Sequence, residues 1–127
     1  MKVNYEYQGG VIMFALNFKS HHNEELLQNR TKTATIRLGD IRDIYPENSV
    51  VWVTFGSQYA PKKKLYPAFI DKVIAKKMTD LSTAELQHQD PEISTVEELI
   101  AAFQVIYGKK IYAEDIVTVI HFSEIVD

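Results

Sequence analysis

A chain of 127 residues, 46% hydrophobic and 24% charged, is long enough for one domain with a core of its own. It has no cysteine, which excludes disulfides and thiolate metal sites, and no apolar run approaches the roughly 18 residues of a membrane span. Met1 to Gln8 has no apolar stretch of signal-peptide type, so a cytoplasmic protein with no membrane partner is expected. The net charge of −3 is unevenly placed: residues 19–77 carry eleven Lys/Arg against six Asp/Glu, and residues 78–127 two against ten. Either the fold gathers a positive face, or the two halves attract each other across it.

In chain order, Val3, Tyr5 and Tyr7 alternate ahead of Gly9-Gly10, and Val11 to Phe18 alternates strongly enough to predict a strand. His22 to Leu27 reads as a short helix, with Asn23 as candidate cap and glutamates in its first turn. Arg30 to Arg37 is threonine-rich and is followed by a turn at Leu38-Gly39-Asp40. Ser49 to Phe55 predicts a strand covered on both faces, Gly56 to Lys64 a polar loop, and Leu65 to Ala75 a further strand. Asp80 to Gln87 predicts a short helix. A longer one starts at Ser94, with Glu97 at capping-box spacing, the stripe Val96, Leu99, Ile100, Phe103, Ile106, and Gly108 as its stop. Ile116 to Phe122 is a β-branched closing strand. Helices inserted among strands, without regular alternation, predict an α+β fold: a small mixed β-barrel of five to six strands.

Chemistry concentrates in Thr31-Lys32-Thr33-Ala34-Thr35-Ile36-Arg37. In a strand, Thr33, Thr35 and Arg37 share one face, a wall of hydroxyls and a guanidinium suited to a carboxylate, a phosphate or a base edge. Lys32 has the opposite parity and reaches Thr35 only if it lies in the preceding loop. There, burial and the Arg37 cation push it toward the neutral amine, which can take a proton from a threonine hydroxyl. The alternative is an ordinary β-branched edge strand with a solvated lysine.

Lys32-Thr33-Ala34-Thr35-Ile36-Arg37 resembles the Lys-Thr-x-Thr-Ile-Arg signature of ASCH domains, in the PUA-like superfamily. Phe14 to Phe18 is similar to the family's first strand, Leu81 through His88 and Glu92 to Ile106-Tyr107 to its helical insertion, and Ile116 to Ile125 to its closing strand. The likeness runs from Met13 to Ile125 within a single domain over 1–127, with residues 1–12 as an N-terminal extension. It implies a PUA-like β-barrel whose cleft binds RNA or a modified nucleoside. Among relatives of this kind, small bacterial acetylcytidine amidohydrolases use a lysine, a threonine and a glutamate. The resemblance carries these to Lys32 as base, Thr35 as nucleophile and Glu92 as acid for cleaving an N-acyl amide. Arg30 departs from the pattern, standing where the family often has glycine, and the loop from Gly56 to Lys64 is longer than the compact amidohydrolases need.

Glu92 also reads as a solvated acid just ahead of a helix, where its anion is stabilised. Arg37, Thr33 and Arg30, with Lys62, Lys63 and Lys64 beside Tyr59 and Tyr66, are the expected contacts to RNA or ligand. The lysine run equally suits a solvated loop. His21-His22 invites a metal, but no third ligand follows at a recognisable spacing, so neither metal nor cofactor is expected. His121 reads as a structural histidine and Trp52 as core. Binding of RNA or a nucleoside is the leading expectation, and amide hydrolysis of an acylated cytidine the alternative.

Overall fold

The computed structural model describes residues 5–8, 11–57 and 59–126. The elements are β1 (Tyr5–Gln8), β2 (Val11–Phe18), α1 (His21–Gln28), β3 (Ala34–Leu38), β4 (Val50–Phe55), β5 (Lys63–Lys77), a 3-10 turn (Met78–Asp80), α2 (Thr83–Gln89), α3 (Val96–Tyr107) and β6 (Ile116–Glu124). The strands form one curled sheet in the order β1-β2-β4-β5-β6-β3. Only β2 and β4 pair in parallel. The 15-residue β5 turns the sheet, pairing with β4 through its first half and with β6 through its second. A bulge between Ile70 and Lys72 bends it there. The result is the expected mixed α+β fold of six strands with inserted helices, its barrel a curled half-barrel left open between β3 and β2.

Two cores lie on either side of β6, Ile120 and Phe122 entering one, Val117 and Val119 the other. Leu16, Phe18, Leu27, Tyr45, Val51, Val53, Ile70 and Ile120 fill the curl beneath α1. Ala34, Ile36, Met78, Leu86, Leu99, Phe103, Val117 and Val119 pack β3 and β6 against α2 and α3. Strand parity does this: Ala34 and Ile36 point to the second core and leave Thr35 and Arg37 facing the other way.

Several sequence expectations shift in detail. Ser20, not Asn23, caps α1, its hydroxyl accepting from the Asn23 N–H. The capping box of α3 is Thr95 with Glu98, one residue beyond Ser94 and Glu97, and Gly108 ends the helix in the left-handed conformation as expected. The helix expected from Asp80 starts only after Ser82, which forms its own capping box with Glu85. Strand β5 begins at Lys63, so Lys63 and Lys64 belong to a strand and diverge from Lys62 in the loop. Trp52 has the opposite parity to Val51 and Val53, lies outside both cores, and buries an Nε1 without a partner among the described residues. Among those residues no helix is long and apolar enough to cross a membrane.

Candidate functional site

The sheet's open seam is where the signature segment sits. Across it the Arg37 guanidinium donates to the Asn17 carbonyl at 2.7 Å, doing with a side chain what a backbone ladder does elsewhere. The same group lies 5.1 Å from the centre of the Phe18 ring and 5.7 Å from that of Tyr45, so its flat faces are covered by aromatics.

Lys32 ends in the loop position that reach toward Thr35 demands, one residue short of β3's lead-in. Its N–H, like that of Thr31, donates to the Leu26 carbonyl at the end of α1. This closure is sharp: Arg30 adopts φ +64, the left-handed region that glycine enters without cost. The departure from glycine therefore leaves the tight turn in place with a strained residue in it. Arg30 is also tied down, by a bidentate ion pair to Glu124 at 2.7 and 2.9 Å and by stacking 4.1 Å over Tyr66. Burial pushes the Tyr66 phenol up to about 12.

The Lys32 side chain is 1% exposed. Its ammonium donates to the Gln89 carbonyl at 2.7 Å and to Gln89 Oε1 at 2.8 Å. It thereby caps the C-terminus of α2, where carbonyls lack helical partners and the dipole favours a cation. Gln89 Oε1 also accepts from the Ile36 N–H, which fixes the amide against β3. Burial, reinforced by Arg37 and opposed by Asp90, lowers the Lys32 pKa to about 7. The cause is the one the sequence suggests: desolvation first, then the neighbouring guanidinium.

Thr35 is 4% exposed and borders a cleft of about 330 Å³. Asn17, Lys19, Ser20, Arg37 and Gln89 give that cleft a polar wall, and Phe103, Ile106 and Tyr107 an apolar one. Ile106 is 70% exposed and Tyr107 41%, an open apolar shelf at its mouth. The Thr35 hydroxyl makes no hydrogen bond among the described residues. It is not sealed away either, since the only fully enclosed side-chain polar atom lacking a partner among them is the indole nitrogen of Trp52.

The other expected site residues scatter. Thr33 is exposed and lines a second, smaller cavity of about 210 Å³ with Arg30, Lys32 and Tyr66, because β3 starts only at Ala34. Lys62, Lys63 and Lys64 do not border the large cleft: Lys62 donates to the Ser57 carbonyl, Lys63 pairs with Glu24, and Lys64 lies over Trp52. Glu92 sits in the turn between α2 and α3 with its side chain 79% exposed, 3.7 Å from His22 Nε2. Asp90 is 2.9 Å from the same nitrogen, and its charge also acts on Lys32. Gln89, which holds Lys32, and the His22–Asp90 contact escape a sequence reading: each joins residues more than 50 apart.

No protein-family model matches the sequence, and no curated protein matches it. Solved structures do match the fold. An ASCH domain from Lactobacillus crispatus JV V101 superposes with a TM-score of 0.63 at 12% identity, over 87% of this chain and 77% of that one. Protein EF3133 from Enterococcus faecalis V583, of family DUF984, gives 0.57 at 18% identity, over 80% of this chain and 65% of that one. The hypothetical protein PH0355 gives 0.59 at 13% identity, over 87% of this chain and all of that one. The chain has the fold of an ASCH domain.

Proposed function

We propose that the large cleft binds a nucleobase, as a modified nucleoside or within RNA. The observation that carries this reading is the Thr35 hydroxyl: without a partner among the described residues, on an otherwise buried residue, and open to a cleft that has one polar and one apolar wall. A planar heterocycle lies against the shelf of Phe103, Ile106 and Tyr107, and its carbonyl or exocyclic amine meets Thr35 and the polar wall. Lys19 borders the same cleft and suits a phosphate following the base. The test is equilibrium binding of cytidine, acetylcytidine and a short single-stranded RNA at two salt concentrations. The reading expects saturable nucleoside binding insensitive to salt, and RNA binding that weakens with a log–log slope of about −0.7 per phosphate engaged. A folded protein that binds none of the three refutes it.

A second reading is favoured by Lys32, whose amine is lowered to about 7 and so is substantially neutral near pH 7. In it, Lys32 takes the Thr35 proton, the freed oxygen attacks the acyl carbon of an N-acylated cytidine, and the C–N bond breaks. Glu92 gives the leaving amine its proton, and water then cleaves the acyl–threonine ester, returning the acid and free Thr35. For this, the Lys32 amine has to exchange a Gln89 contact for Thr35, and the exposed Glu92 has to turn inward. Acetylcytidine turnover abolished by Lys32→Ala and reduced by Glu92→Gln is the expected outcome. Absence of turnover by the wild type removes this reading and leaves the binding cleft.

A further inference from the structure

His22, Asp90 and Glu92 come from two segments 68 residues apart, yet offer three donor atoms that all lie within 4.8 Å of one another. We propose that they form a binding site for a divalent transition-metal ion of the zinc type, next to the cleft. Two donors bound at ~2.1 Å to one ion stand about 3.0 Å apart in octahedral and about 3.4 Å apart in tetrahedral geometry. The pairs His22–Asp90 at 2.9 Å and His22–Glu92 at 3.7 Å bracket those separations. Small rotations complete the set, and the exposed Glu92 is free to make them.

Asp90 supports the arrangement. Its Oδ1 accepts from the Glu92 N–H at 2.9 Å, which fixes the carboxylate and turns Oδ2 toward His22. An imidazole nitrogen with two carboxylates selects a borderline ion over magnesium or calcium, which prefer all-oxygen shells. With neutral imidazole the trio carries two negative charges, which outweigh the unfavourable positive end of α1 nearby. Three protein donors leave a fourth position for water. The bound ion clamps α1 to the α2–α3 turn, beside the Gln89 residue that caps Lys32. The lack of a third ligand at sequence spacing is thus overcome through space; the site stands independently of nucleoside binding, but an ion held by Glu92 excludes that carboxylate from the proton-donor role of the hydrolysis reading.

The test is calorimetric titration of Zn²⁺ into the chelator-treated full chain, with Co²⁺ absorption as a second readout of coordination. One saturable site per chain is expected. His22→Ala and Asp90→Asn each weaken it at least about tenfold. His21→Ala, next to the site but facing Phe55 and Glu24, leaves it unchanged. His21 and His22 lie at the surface and Asp90 is partly buried, so matching thermal melts without metal are needed to show that each variant folds. No saturable binding by the wild type overturns the proposal. So does binding that survives both His22→Ala and Asp90→Asn, or binding that falls equally with His21→Ala.

Discussion

Lys32→Met tests the electrostatics of the site most directly. Methionine has nearly the reach of lysine and no charge, so it fills the same buried channel between α1 and α2. Moving an amine from its ordinary 10.5 to about 7 means that the fold disfavours the ammonium over the neutral amine by about 5 kcal/mol. The two Gln89 hydrogen bonds are lost with the charge. Removing the ammonium removes most of that penalty at pH 7 but leaves buried Gln89 acceptors short of a donor, at about 1–3 kcal/mol, so the variant is expected to gain about 1–3 kcal/mol there. The sign with pH follows from linkage. Between pH 7 and 10.5 the unfolded chain holds the lysine proton and the folded chain has shed it, so wild-type stability rises with pH by up to about 1.36 kcal/mol per unit. Below pH 7 both states are protonated and the contribution is flat. Denaturant titrations of both proteins from pH 6 to 10 should therefore show the variant's advantage shrinking by about 4 kcal/mol between pH 7 and 10. A difference that stays constant across that window, or a variant less stable at pH 7, refutes the reasoning. It would mean that Gln89 and Asp90 hold the ammonium at little net penalty.

Arg30→Gly and Arg30→Ala separate backbone strain from side-chain contacts. Both lose the Glu124 ion pair, but only glycine releases the left-handed strain of roughly 1 kcal/mol. Urea midpoints should rank glycine above alanine, the reverse of the usual order, and equal midpoints would deny the strain. Thr35→Val keeps the shape and removes the hydroxyl. Thermal melts should show stability equal to wild type or higher by up to about 1 kcal/mol, while nucleoside affinity falls; a destabilised variant would mean the hydroxyl has an internal partner.

What could be read in the sequence was what local periodicity carries. Strand β2 has the predicted limits, Val11 to Phe18, and the αL glycine at 108 ends α3 where the apolar stripe stops. The parity argument for Thr35 and Arg37 held because Ala34 and Ile36 needed a core to enter, and the second core provides it. It failed for Thr33, since hydrogen bonding to His88 and Phe122 keeps that residue in the loop that precedes the strand. Caps slipped by one residue where adjacent Ser and Thr compete, as with Ser94 and Thr95. The lysine run looked like a loop because composition cannot show that β4 recruits Lys63 and Lys64 as ladder partners for Phe55 and Thr54. Gln89 and Asp90 carried no signal at all. Their roles arise only when α2 is laid against the loop before β3.

Part of the uneven charge is taken up by ion pairs within the fold. Arg30 pairs with Glu124, Lys76 with Glu85 and Lys77 with Glu114, each joining the basic stretch to the acidic one. Lys63 is taken by Glu24 and Lys62 by a backbone carbonyl. Attraction between the halves thus engages Arg30, Lys76 and Lys77, while Lys62 and Lys63 are held within the basic stretch itself. The positive groups bordering the cleft are Lys19 and Arg37, and Arg37 is already committed to Asn17 and two aromatic rings. On the proposed reading, a site built this way engages one or two phosphates, and specificity has to come from a base held between the shelf and Thr35. RNA binding here should accordingly show a shallow salt slope, unlike that of a protein tracking a backbone over many phosphates.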